Sequence, residues 1–169
     1  MLDNIDINKV CCFTGHRPQK LPWGYDEDDE RCKKVKERVY FECEKLIENG
    51  VSHFITGMAL GFDLICAEIV IDLKKKYPFI KLYGAIPCST QCEKWNKTYI
   101  NRYENILKQL EDFRCKFVTY TPYCMQERNT FMVDHSSTII ALYKDSLGGT
   151  KNTIDYALSK NKKVIIIDF

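Results

Sequence analysis

The chain has 169 residues, 45% of them hydrophobic, which suits one domain with a well-buried core and requires no second domain. Basic and acidic side chains, 25 against 23, leave a net charge of +2. There is therefore no global field of the kind that drives nonspecific attachment to nucleic acid or anionic membrane, and a nucleic-acid partner is not expected without a local patch. The N-terminal Met-Leu-Asp-Asn-Ile-Asp carries acids where a signal peptide carries bases, and no apolar run approaches the ~18 residues of a membrane span. A cytoplasmic protein with no membrane partner is expected. The nine cysteines are scattered through apolar strands and helix faces, where in a reducing compartment they act as small hydrophobes. Cys88 and Cys92 have no second pair at zinc-finger spacing, so neither a metal nor a cofactor is expected.

The apolar run over 9–14, closed by Gly15, predicts a buried first strand. A polar loop with Pro18, Pro22 and Gly24 follows. Val35, Val39, Cys43, Leu46 and Ile47 recur at helical spacing within 28–49, an amphipathic helix stopped by Gly50. A second strand is predicted over 53–56. The helix over about 61–77 is apolar on most of its circumference, so it should be packed on several sides. A third strand spans 79–86, ended by Pro87, and Trp95, Tyr99, Tyr103, Ile106 and Leu110 mark the core face of a helix over 91–111. The fourth strand is placed at 116–119, a helix at 124–135, the fifth strand at 138–143, the last helix at 151–160 and a sixth strand at 164–167.

Strands alternating with helices through short loops predict a single α/β, Rossmann-like, doubly wound domain over 1–169, its mostly parallel sheet of about six strands covered on both faces. Such sheets bind ligands beyond the carboxyl ends of their strands. Three loops fall on that edge. Gly15-His16-Arg17-Pro18 follows the first strand, Gly57-Met-Ala-Leu-Gly61-Phe-Asp63 the second, and Gly148-Gly149-Thr150 the fifth. Glycine turns opening helices let backbone N–H groups face a phosphate, aided by the helix dipole. Asp63 could cap its helix, bind a ribose hydroxyl or hold a metal. His16 could be structural or a ligand contact, and Trp23 and Tyr25 could stack on a base or cover the sheet edge. The spacing matches neither the dinucleotide fingerprint nor a P-loop. In Met125-Gln-Glu-Arg128-Asn129, Arg128 supplies a planar cationic fork for phosphate. It is expected on a solvent-facing wall, where truncation would cost less than ~1 kcal/mol of stability.

Taken together, Cys-Phe-Thr-Gly15-His16-Arg17-Pro18, Gly57-x-Ala59-x-Gly61-x-Asp63, Met125-x-x-Arg128-Asn129 and Gly148-Gly149-Thr150 resemble the YpsA-like proteins of the SLOG superfamily, which also contains the DprA and LOG (Lonely Guy) proteins. The resemblance covers nearly the whole chain. It implies a Rossmann-like fold, a nucleotide or nucleotide-derived ligand and a homo-oligomer. LOG-type phosphoribohydrolases carry Met-x-x-Arg-Lys and then Pro-Gly-Gly-x-Gly-Thr-x-x-Glu, with arginine and glutamate in catalysis. Arg128 matches that arginine, Asn129 replaces the lysine, and the glutamate position holds Thr153 or Asp155 according to which glycines are matched. Cleavage of an N-glycosidic bond needs a placed carboxylate. Asp155, Glu127 and Asp134 are the substitutes available, and Arg128 with Asp155 would be the catalytic pair. The first expectation is a binding protein or sensor for a nucleotide-derived ligand, held by Gly15, His16, Arg17, Gly57, Gly61, Asp63, Arg128, Asn129, Gly148, Gly149 and Thr150. The alternatives are a LOG-like nucleoside 5′-monophosphate hydrolase and a DprA-like nucleic-acid or protein interaction module.

Overall fold

Val10, Cys11, Cys12 and Phe13 make an unbroken apolar run because the strand they form is buried on both faces. Cys11 and Phe13 pack with Val39, Leu64 and Leu82, while Val10 and Cys12 pack with Met132, Ile139 and Ala157. In the computed structural model, which describes residue 2, residues 4–145 and residues 147–169, this strand is central. Met1 and Asp3 of the acidic N-terminal stretch lie outside the described residues.

The elements run β1 (Val10–Gly15), α1 (Glu30–Glu48), β2 (His53–Thr56), α2 (Phe62–Lys76), β3 (Lys81–Cys88), α3 (Lys97–Leu107), β4 (Asp112–Phe117), α4 (Cys124–Asp134), β5 (Thr138–Leu142), α5 (Gly149–Ser159) and β6 (Lys163–Ile167). The six-stranded sheet has the order β4-β3-β2-β1-β5-β6, and every pair is parallel. The chain therefore steps outward from β1 to β4 and then returns across the sheet to β5. Right-handed crossovers put helices made in opposite directions on opposite faces. Accordingly α2 contacts α1 and α3 on one side, and α4 contacts α5 on the other. The point of reversal lies between β1 and β5, where the loops leaving adjacent strands part and open a crevice. The α/β doubly wound architecture is as expected, and its sheet is wholly parallel.

Among the boundaries that differ from the predicted ones, three have a plain physical reason. β3 runs through Pro87 to Cys88. Its pairing with β2 ends at Thr56↔Gly84, so beyond that point it pairs only with β4, and a missing N–H costs the ladder nothing there. α3 begins at Lys97, where the Asn96 side chain accepts from Tyr99 N at 3.1 Å; residues ahead of it form successive turns, such as Trp95 N to Cys92 O, that present aromatics at helix-like spacing. β4 starts at Asp112 rather than near Lys116, paired from Tyr83↔Asp112 onward. As an edge strand with mostly exposed side chains it has no apolar signature, and the run that suggested a strand includes Val118, which is 78% exposed. The cysteines behave as core residues: all nine are free thiols, and seven are buried. Among the described residues no helix is long and apolar enough to cross a membrane.

Candidate functional site

The register Thr14↔Ala141 and Gly15↔Leu142 brings the ends of β1 and β5 side by side. Beyond them lies a cavity of about 300 Å³, whose walls include Thr14, His16, Arg17, Lys20, Asp63 and Arg128. The first turn of α5 closes it through Gly148, Gly149 and Thr150, and Asn129 of α4 also faces it. Gly15 is backed by the Phe62 ring, which would lie 2.4 Å from any Cβ placed there. His16 is buried between Tyr143 and Phe169, at ring distances of 5.7 and 6.0 Å. Burial, then the nearby Lys20 charge, lower its pKa, against a hydrogen bond from the ring to the Lys144 backbone that favours the cation. Pro18 opens a short 3-10 turn, Pro18–Lys20, that carries Lys20 round from Arg17 to the same cavity.

Arg128 departs from expectation. Its side chain is only 8% exposed and that of Asp63 only 7%. Nη1 donates to the Gly57 carbonyl at 2.5 Å and pairs with Asp63 Oδ2 at 3.3 Å. Asp63 Oδ2 also accepts from Ala59 N at 3.2 Å, and Thr56 Oγ1 donates to the Asp63 carbonyl at 2.9 Å, so the turn after β2 is tied to itself and to α4. Burial raises the Asp63 carboxyl pKa, and the Arg128 charge and the Ala59 N–H oppose that rise. Burial likewise lowers the Arg128 pKa, with the Asp63 charge opposing. The guanidinium is thus part of a buried ion pair rather than a solvent-facing fork, because α4 packs across β3 and β1 and carries it into the turn after β2. Arg128 Nε is buried with no hydrogen-bond partner among the described residues. Nη2 lies 3.9 Å from Met125 Sδ, and Arg17 Nη2 lies 3.8 Å from the same sulfur. Two guanidinium groups of like charge therefore flank one thioether.

The glycines divide in the same way. A Cβ on Gly57 would fall 1.8 Å from Arg128 Nη1, and one on Gly61, whose φ is +98°, would fall 2.8 Å from Pro18 Cδ. Neither lines the cavity; their absent side chains admit Arg128 and Pro18. Gly148, at φ +136°, takes a conformation that L side chains rarely adopt. Gly149 faces open space, with nothing within 4 Å of a Cβ. Being glycine, the N-cap residue Gly148 has no side chain to occupy the first-turn N–H groups of α5. Asn129 Nδ2 donates to Thr153 Oγ1 at 2.9 Å, and that hydroxyl donates to Gly149 O at 2.7 Å, so α4 and α5 are locked beside the cavity.

The acids considered as catalytic substitutes stand elsewhere. Asp155 is 54% exposed and paired with Lys151 at 2.5 Å, Glu127 pairs with Lys116, and Asp134 accepts from the Tyr156 hydroxyl. Of the described residues lining the cavity, Asp63 is the one carboxylate. Lys20 was missed in the sequence; it donates to Leu147 O at 3.0 Å across the mouth, and its only sequence signal is the three-residue spacing from Arg17. Trp23 is buried edge-on against Phe169, whereas Tyr25 is exposed.

A family model described as the YspA SLOG family (YpsA) matches residues 11–168. YoqJ, an SPbeta prophage-derived protein of Bacillus subtilis, is 35% identical over 137 residues, covering 73% of this chain and 80% of that one. A UPF0398 protein of Bacillus pumilus is 30% identical over 146 residues, covering 84% and 77%. Among solved structures, the DNA processing protein A of Helicobacter pylori, described for its single-stranded DNA binding mode, superposes with a TM-score of 0.64 at 17% identity, over 95% of this chain and 66% of that one. The protein TM1055 superposes with a TM-score of 0.54 at 12% identity, over 92% and 72%. At these identities the two structures share the fold.

Proposed function

The chain belongs to the YspA SLOG family, and we propose that it is a binding protein or sensor for a nucleotide or nucleotide-derived ligand whose phosphate sits at the β1/β5 crossover. The observation that carries this reading is the cluster of Arg17, Lys20 and Arg128 with the first turn of α5 around one cavity that holds a single carboxylate. Mutually repelling cations in a cavity are relieved by an anion, and a helix N-terminus adds N–H donors and a positive dipole end. Among the described residues the buried Arg128 Nε has no hydrogen-bond partner, and a buried unsatisfied donor is costly unless a ligand completes it. The volume, about 300 Å³, lies at the lower end of the range for small-molecule sites.

Binding is favoured over LOG-like hydrolysis by the side chains at the two positions that depart from the LOG pattern. Asn129 stands where those enzymes carry lysine, and it is hydrogen-bonded at 2.9 Å to Thr153, one of the two residues that can take the place of their glutamate. If Gly149-Thr150 corresponds to the Gly-Thr of the pattern, Thr153 takes the glutamate position; if Gly148-Gly149 corresponds to its first glycine pair, Asp155 does, and that carboxylate is exposed and paired with Lys151. A neutral amide and a hydroxyl cannot stabilise an oxocarbenium-like transition state as a carboxylate does. Asp63 is already engaged by Arg128 and Ala59 N.

The test is thermal shift and calorimetry with AMP, ADP, ADP-ribose, NAD and dinucleoside phosphates. A ligand at ~100 times Kd adds about 2.7 kcal/mol, or roughly 5–11 °C for a domain of this size. No saturable shift at millimolar concentration removes the reading. Base release from nucleoside monophosphates over many turnovers, followed by chromatography, would restore the hydrolase. The Helicobacter neighbour motivates a second reading, single-stranded DNA binding, whose signature would be an affinity falling steeply with salt.

A further inference from the structure

Arg17 and Gln19 border two cavities. Beyond them, away from β5, lies a second hollow of about 220 Å³, walled by Tyr25, Leu60, Lys94, Trp95, Asn96 and Tyr99. The geometry points to this hollow as a second subsite, which takes the distal aromatic ring of a ligand built as two nucleoside-like halves joined by a pyrophosphate. The proposal deepens the reading of the first cavity as a phosphate site and rests on it.

Three observations support it. The first is charge. The second hollow has two cations, Arg17 and Lys94, and no carboxylate in its lining. Among the described residues neither makes an ion pair, and the one recorded side-chain contact of Arg17 is to the Met125 sulfur. Arg17 stands between the hollows, where a bridging pyrophosphate would meet Arg128 on one side and Lys94 on the other.

The second is the aromatic wall. Tyr25 and Tyr99 lie with ring centroids 5.6 Å apart at 48°, and the Tyr25 hydroxyl accepts from Gln19 Nε2 at 2.7 Å. Trp95 is braced edge-on by Tyr103 at 5.6 Å. Tyr25 is nevertheless 47% exposed, so a stacking face is presented to solvent and held in position. Rings fixed in this way bind a planar base with little loss of side-chain entropy.

The third is size. A first cavity of about 300 Å³ accepts one nucleotide at most comfortably, and the neighbouring 220 Å³ has room for a second ring and sugar. A polynucleotide would be told apart by an affinity that falls steeply with salt.

The test uses calorimetry with three probes: AMP, ADP-ribose, which has the pyrophosphate and a terminal sugar but no distal aromatic ring, and diadenosine 5′,5′-diphosphate, which has both pyrophosphate and distal base. In the native chain the affinity should rise in that order, the last about tenfold or more above AMP. Tyr25→Ala should bring diadenosine diphosphate down to the level of ADP-ribose. Lys94→Glu should weaken both pyrophosphates about tenfold and leave AMP unchanged. Both side chains are exposed, and melts of the variants verify folding. Equal affinity for the three probes, or equal losses for AMP in both variants, overturns the second subsite; AMP binding that still depends on Arg128 would leave the first reading standing. Failure of all three probes to bind removes both. Preference for oligothymidylate over diadenosine diphosphate, with a steep salt dependence, also overturns the proposal.

Discussion

The turn after β2 and the turn before α5 both carry two glycines, and they use them for opposite ends. At Gly57 and Gly61 the missing side chains are replaced by protein: Arg128 Nη1 and Pro18 Cδ occupy the space. At Gly149 the space stays open. Glycine therefore marks close approach of something to the backbone, and whether that something is the protein itself or a ligand depends on what the opposite wall supplies. In this fold the opposite wall of the first turn is α4, and that of the second is the cavity.

The largest expected effect breaks the filled turn. Arg128→Ala leaves the Asp63 carboxylate buried without its partner and the Gly57 carbonyl without its donor, so it should cost about 3–5 kcal/mol in a denaturant melt, as well as phosphate affinity. Adding Asp63→Asn should recover part of the stability and none of the affinity. A stability loss under ~1 kcal/mol, the amount expected of a surface arginine, would return Arg128 to the exterior. Gly57→Ala comes next. Its methyl must displace the guanidinium, which should cost about 1–3 kcal/mol and weaken nucleotide binding with it; unchanged binding would break the link between the turn and the site.

Smaller is the pH effect of His16. Its pKa is lowered in the folded state, by burial first and by Lys20 second, so the unfolded chain binds the proton more readily. Stability from this group is complete above the unfolded value of about 6.5 and is lost as pH falls from there through the depressed folded value. Melts between pH 7 and 5 should fall more steeply for the native chain than for His16→Gln. His53, also lowered by burial, contributes equally to both and cancels. Parallel curves would remove His16 from the account.

The smallest effects belong to the open turn. Gly149→Ala adds a methyl in free space at a helix start and should change stability by under ~1 kcal/mol, toward stabilisation. Asp155→Asn, which breaks only an exposed pair with Lys151, should move stability by under ~0.5 kcal/mol and leave ligand affinity alone. A marked affinity loss there would restore Asp155 to the site.

The sequence by itself determined the α/β class, the central buried strand and the edge of the sheet on which the informative loops gather. Continuous apolar runs such as Val10–Phe13 and Ile139–Leu142 follow from burial on two faces, and period alone exposes the amphipathic helices. It also singled out Gly15, His16, Arg17 and the Gly148-Gly149 pair, because charge and glycine at strand ends are local signals, and Arg128 as a cation on the helix just before the fifth strand. Only the tertiary structure decided that Arg128 and Asp63 are a buried pair, that Gly57 is a socket, that Lys20 reaches the mouth and that Tyr25 and Tyr99 meet beyond Arg17. Arg128 is 71 residues from Gly57 and 65 from Asp63, so nothing in the local spacing encodes the contact. It arises because reversal of the chain at β1 packs α4 on the second face of the sheet and points one side chain through to the end of β2.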